Sequence, residues 1–187
     1  MTKIKKWKVL EERDISPSHW FPLRVAKVKL PDGMVVDDYY YAPLENFSMV
    51  LPVTKDGGIV MVRQYKHGIG EIMIELPAGF KMKDLSHEQT AVCELDEEVG
   101  IKVDVRDLKF LGKYSVNCTK LRNEIYFYLA VDLEFNSTQH LDATEDIEIL
   151  EIAPQKVLEM IEKGEIWAVE TVACILRAKQ KYPNIFR

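Results

Sequence analysis

Apolar and polar positions alternate along much of the first half of the chain, and the period then changes once. Ile4-Lys5-Lys6-Trp7-Lys8-Val9 alternates as a first strand would, within residues 1–15, and Ser16-Pro17-Ser18 breaks it. Leu23 to Leu30 and Met34 to Tyr41 read as two strands around Pro31-Asp32-Gly33, so residues ~20–45 form a hairpin. Proline presets φ in that turn and glycine supplies positive φ. Tyr39, Tyr40 and Tyr41 favour a strand and suit either ordinary sheet packing or the cover of an oligomer interface. Phe47 to Val53 and Ile59 to Tyr65 flank Lys55-Asp56-Gly57-Gly58 as a second hairpin. After the loop Lys66 to Gly70, Glu71 to Leu76 is a further strand, ending at a turn, Pro77-Ala78-Gly79.

The helical period appears next. Ser86-His87-Glu88-Gln89 has the form of a capping box, which starts a helix at Ser86, and Gly100 stops it. Ala91, Leu95 and Val99 make one apolar stripe, and Glu94, Glu97 and Glu98 lie on a neighbouring face. Val103 to Tyr114, Glu124 to Glu134 and Ile147 to Ile152 read as strands, with a polar loop over Asn136 to Asp146. Helices follow at Gln155 to Lys163, stopped by Gly164, and at about Ala168 to Lys181, stopped before Pro183. Strands, one helix, strands, then helices predict a mixed α+β domain or an α/β/α sandwich.

Composition narrows the setting. The 187 residues are 47% hydrophobic, enough for one domain with a real core plus a smaller attachment. No run of about 18 apolar residues is present to span a membrane. The basic start MTKIKKWKVLEERD turns acidic with no apolar stretch behind it, unlike a secretory signal. Cys93, Cys118 and Cys174 are odd in number and widely spaced, which reads as reduced thiols of a cytoplasmic protein. A net charge of −5 without a basic block argues against nucleic-acid binding, though not against a single nucleotide.

The three glutamates are the candidate chemistry. Like charges three and four residues apart cost a helix a few tenths of a kcal/mol. They are either a solvated acidic face or a site for a divalent cation such as Mg²⁺, which takes oxygen ligands and is typically shared with substrate phosphates.

The segment GFKMKDLSHEQTAVCELDEEVGI, behind a strand and Pro-Ala-Gly, resembles the box of the Nudix hydrolase family. Gly79, Glu94, Leu95, Glu97, Glu98, Gly100 and Ile101 match it at the family's spacing over 23 residues. RQYKHGIGEIMIELPAG before the box and a late Gly164-Glu165-Ile166 resemble the branch that hydrolyses ADP-ribose and nucleoside diphosphate sugars. The resemblance implies a Nudix α/β/α sandwich with a mixed central sheet, residues 46–187, and a small N-terminal antiparallel sheet, residues 1–45, that contacts substrate and a second subunit. It implies Mg²⁺, or Mn²⁺, held by Glu94, Glu98 and the Ala78 carbonyl. Glu97, Glu98 and Glu145 would serve catalysis, and Lys66, Glu75 and Trp20 would contact substrate. A homodimer with a small-molecule nucleoside diphosphate ligand, and with no nucleic-acid or membrane partner, is the expectation.

Three positions depart from the pattern. Leu85 replaces the box's first glutamate, Cys93 its arginine, and Ala143 a late glutamate that serves some relatives as the base. The lost glutamate and arginine commonly pair in the family, so Leu85 and Cys93 are expected to lie near each other and substitute packing for the ion pair. The Asp-x-Lys that follows Gly-Glu-Ile in some relatives is Ala168-Val169-Glu170 here, and no second tryptophan accompanies Trp20. A Nudix-like module that binds a nucleotide without efficient turnover is the alternative these departures leave open.

Overall fold

In the computed structural model, which describes residues 3–187, the chain divides into two units. One contains the residues up to Glu45 together with Ser115–Asn123. The other contains Asn46–Tyr114 and Glu124–Arg187.

The smaller unit is an antiparallel sheet of β1 (Lys8–Asp14), β2 (Arg24–Lys29) and β3 (Val35–Tyr41), in that order. Gly33, at φ 98°, makes the expected turn between β2 and β3. The first strand begins at Lys8 rather than Ile4, and all of its residues are exposed, so its alternation has no buried face to set it. Ala26, Val28 and Tyr41 form a small core. The Tyr41 hydroxyl donates to Glu12 (2.6 Å), and the Arg122 guanidinium lies 4.0 Å over its ring. Tyr40 is exposed.

The larger unit is built on β4 (Phe47–Thr54), β5 (Ile59–Lys66), β8 (Lys109–Tyr114), β9 (Ile125–Leu133) and β10 (Ile147–Ile152), ordered β10-β5-β4-β9-β8. β6 (Glu71–Glu75) pairs with β5 and β7 (Ala78–Phe80) with β4. The β4–β9 pair is parallel and the others are antiparallel, so the sheet is mixed, as expected. Pro52 sits beside a register irregularity in β4, the kind of place a strand tolerates a missing donor.

Both faces of this sheet are covered. Helix α1 (His87–Val99) packs Ala91, Leu95 and Val99 with Val50, Val60, Val62, Tyr128 and Ala130. The alternate residues Leu51, Ile59, Met61, Phe127 and Leu129 point the other way and are equally buried. Helix α3 (Val169–Lys181) contacts β4, β8 and β9, and α2 (Pro154–Glu162) precedes it. The fold is α+β, a mixed sheet with helices on both faces plus a small antiparallel sheet.

Two local expectations are corrected. Ala78-Gly79 is not only a turn: with Phe80 it forms β7. Val103 to Tyr114 is not one strand, because Asp104 caps a 3-10 turn over Val105–Asp107, accepting the Arg106 N–H at 2.9 Å. Beyond Pro183 the chain makes a last 3-10 turn, Pro183–Phe186, which buries Phe186.

Candidate active site

Helix α1 is fixed at both ends by the groups its sequence announced. The Gln89 N–H donates to Ser86 Oγ (3.1 Å), and the Ser86 N–H donates to Gln89 Oε1 (2.7 Å). Gly100 closes the helix in the left-handed conformation, at φ 68°. With the apolar stripe in the core, the neighbouring face turns its glutamates toward β7.

The β7 backbone is arranged to meet them. Val50 N–H donates to the Pro77 carbonyl and Lys81 N–H to the Asn46 carbonyl, so Ala78 faces Met49 in a non-hydrogen-bonded pair. The Ala78 N–H and C=O therefore both turn away from β4. The N–H donates to Glu98 Oε2 at 3.0 Å. The carbonyl is left without a ladder partner. At Gly79 an added Cβ would lie 1.9 Å from Glu94 Oε1, so only glycine lets this carboxylate rest on the backbone.

A buried carboxylate, Glu98, thus lies beside a half-buried one, Glu94. Glu98 is 4% exposed. Burial, then the neighbouring Glu94, pushes the Glu98 carboxyl up to about 8, against the pull of the Ala78 N–H and Lys66. Burial, then Glu97, Glu145 and Asp142, pushes Glu94 up to about 7. Glu97 is raised as well, chiefly by burial and then by Asp142 and Glu145.

The late acidic loop reaches these groups because it caps the end of α1. Gln139 Nε2 donates to the Glu98 carbonyl (2.7 Å) and the Ile147 carbonyl (3.2 Å), and the His140 N–H donates to the Glu97 carbonyl (2.9 Å). Asn136 and Ser137 N–H groups donate to the Gly100 carbonyl. These bonds bring Asp142 and Glu145 within electrostatic range of Glu94. One Glu145 oxygen accepts the Asp142 N–H at 3.0 Å.

Beyond Ala78 and Gly79 lies a cleft of about 220 Å³, whose wall includes Lys66, Glu75, Phe47, Phe80 and Glu170. Lys66 Nζ stands 3.3 Å from Glu75 Oε2. That oxygen is buried with no aligned hydrogen bond, so the lysine matches its charge but not its geometry. Glu170 was not anticipated as a site residue. It lies in the first turn of α3, which is set against the cleft by the Leu76 N–H donating to the buried Thr171 Oγ1 (3.2 Å). Trp20 belongs to the smaller unit, where it is 83% exposed beside His19.

Leu85 and Cys93 are both half-buried. Burial, with Glu97, Glu94 and Asp96, pushes the Cys93 thiol up, so it stays protonated rather than nucleophilic. The loop ahead of α1 has its own tie to the helix: the Met82 N–H donates to Oγ1 of the fully buried Thr90 at 3.2 Å.

The description of the NUDIX domain matches residues 45–173, which cover this site and most of the larger unit. The chain belongs to the NUDIX family. A second description, the nucleoside diphosphate sugar hydrolase N-terminal domain, matches residues 7–42. This Nudix chain is 28% identical over 174 residues to an ADP-ribose pyrophosphatase of Bacillus subtilis, covering 90% of this chain and 92% of the relative. It is 26% identical, over the same shares, to a methanol dehydrogenase activator of Bacillus methanolicus. Its fold matches the crystal structure of an ADP compounds hydrolase with a TM-score of 0.86, at 19% identity and 98% coverage of both chains. These matches bear out the Nudix family suggested by the sequence and support the branch it resembles.

Nudix hydrolases generally use divalent metal cations, and this site fits one. Its donors are hard oxygens: Glu94, Glu98 and the Ala78 carbonyl freed by the strand register. Two like charges, one buried and one half-buried, set against the backbone of Ala78 and Gly79 form a cradle that a cation relieves. Among the described residues, no three His, Cys, Asp or Glu side chains form a complete cage. Two carboxylates and a carbonyl suit an ion that shares its remaining positions with water and substrate phosphates.

Proposed function

We propose that this Nudix pyrophosphohydrolase acts on ADP-ribose or a related nucleoside diphosphate sugar, with Mg²⁺ held by Glu94, Glu98 and the Ala78 carbonyl. The products are a nucleoside monophosphate and a sugar phosphate. The observation that carries the reading is the pair Glu94 and Glu98, set against Gly79 and Ala78 at the edge of the cleft. The names of the relatives and the match to a nucleoside diphosphate sugar hydrolase N-terminal domain support the substrate class.

When bound, a divalent cation supplies neutralisation of the diphosphate and polarisation of its phosphoryl oxygens. The chain's own residues do the rest. Glu94 and Glu98 hold their carboxylates in place before substrate arrives, so little reorganisation is needed at the moment of reaction. Lys66 sets a positive charge at the cleft for a phosphate, as a point charge rather than a fork. Glu97 and Glu145 face the reacting centre from the helix and the loop. One of them takes a proton from the attacking water as its oxygen bonds to phosphorus. The opposite P–O bond breaks, and the leaving phosphate carries away the electron pair.

The N-terminal unit, with Trp20, contributes to substrate contact and to a homodimer in this reading, and the protein works in the cytoplasm. No helix among the described residues is long and apolar enough to cross a membrane. The test is incubation of purified protein with Mg²⁺ and a panel of nucleoside diphosphate sugars, with products separated by chromatography. Release of a nucleoside monophosphate and a sugar phosphate supports the reading. Tight binding across the panel without any product would favour a binding module.

A further inference from the structure

We propose that Glu170 is a specificity-determining residue: with Glu75 it makes the cleft select an uncharged sugar and reject one that carries an additional phosphate. This rests on the reading of the site as one that cleaves nucleoside diphosphate sugars, and it names which members of that class are taken.

The position of the cleft decides which part of such a substrate enters it. Gly79 both lines the cleft and touches Glu94, so the cleft begins where the diphosphate is held. The group one bond beyond either phosphate is a sugar. The cleft measures about 220 Å³. Sites that enclose a drug-sized ligand run to roughly 300–1,000 Å³, so this one accommodates a single ring rather than a whole nucleotide.

Its walls suit a sugar ring. Phe47 and Phe80 are cross-strand partners with ring centroids 6.2 Å apart, and Phe80 is 59% exposed, presenting an apolar surface to the C–H face of a ring. Opposite in character are the carboxylates of Glu75 and Glu170, which only accept hydrogen bonds when ionised and so match hydroxyl donors.

Charge supplies the discrimination. Lys66 is the one basic residue of the lining, and its ammonium is already set against Glu75 at 3.3 Å. Glu170 has no cation of its own there, since no ion pair is formed by it among the described residues. A second anionic group on the sugar would therefore meet an unmatched carboxylate in a partly enclosed cleft. Specificity by repulsion of this kind requires no contact with the accepted substrate.

The experiment compares kcat/KM for ADP-ribose and for ADP-ribose 1″-phosphate in wild-type protein, Glu170→Gln and Glu170→Lys. Wild type should favour ADP-ribose, Glu170→Gln should narrow the ratio, and Glu170→Lys should narrow it by at least about tenfold. A helix-capping role for Glu170 would alter stability and overall rate but leave the ratio untouched. An unchanged ratio in folded Glu170→Lys, checked by circular dichroism, overturns the proposal. Should wild type cleave neither compound, the hydrolase reading falls separately. The same ratio is then taken from calorimetric binding of the two compounds, where an unchanged ratio in Glu170→Lys again overturns the charge filter and a narrowed one upholds it.

Discussion

The carboxylate of Glu94 rests directly on the backbone at Gly79, so closely that a Cβ there would lie 1.9 Å from its Oε1. The lack of a side chain at Gly79 leaves room for the helix carboxylate to lie against the strand. Gly79→Ala should displace the Glu94 carboxylate, the movable end of its side chain, at a cost of no more than about 1 kcal/mol of stability. Activity should fall by at least about a hundredfold, beyond what the lost stability explains, because a preorganised carboxylate has moved. Thermal melts beside steady-state rates check this, and near-normal rates in the alanine variant would remove Glu94 from the machinery.

Buried like charges also give a pH signature. The Glu98 carboxyl is raised to about 8 from an ordinary 4.5, by burial first and then by Glu94, and the Glu94 carboxyl to about 7, by burial first and then by Glu97, Glu145 and Asp142. Between about pH 4.5 and 8 the folded chain holds protons that the unfolded chain has released, so stability falls as pH rises through that window. Metal-free protein should lose on the order of a few kcal/mol across it, and Mg²⁺ should flatten the slope by raising the melting temperature most at pH 8. Calorimetry with EDTA or Mg²⁺ at pH 5 and pH 8 measures it. A melting temperature that rises with pH in EDTA would contradict the arrangement.

Gln139 joins the late loop to the site, donating to the carbonyls of Glu98 and Ile147. Gln139→Ala leaves both carbonyls short of a donor and should cost about 1–3 kcal/mol. Catalysis should suffer more than the overall fold, since Asp142 and Glu145 are placed by this tie. Faster hydrogen exchange confined to residues 136–146, with kcat lowered and KM little changed, is the expected pattern.

Much of this was legible in the residues. Ser86 and Gln89 announced the start of α1 and Gly100 its end, because capping is local chemistry. The spacing of Glu94, Glu97 and Glu98 after Gly79 carried the resemblance to the Nudix box, while the three charges alone fitted a solvated helix face as well as a cation site. What stayed hidden depends on tertiary pairing. Ala78–Phe80 is too short to read as a strand and becomes one only beside β4. Glu170 carries no mark in the sequence except the residues it is not, and it enters the cleft only because Thr171 anchors α3 to Leu76. Alternation before Lys8 misled, since β1 buries neither face.

Glu98 is the group on which the account depends most, and Glu98→Gln keeps its shape while removing its charge. The measurement is kcat/KM of this variant on the best nucleoside diphosphate sugar with Mg²⁺, beside its melting temperature at pH 8 in EDTA. The account predicts activity lower by at least about a hundredfold. It also predicts a melting temperature equal to or above that of wild type, because an uncompensated buried charge is gone. Activity within about tenfold of wild type in the folded variant would contradict the assignment of Glu98 and, with it, the site.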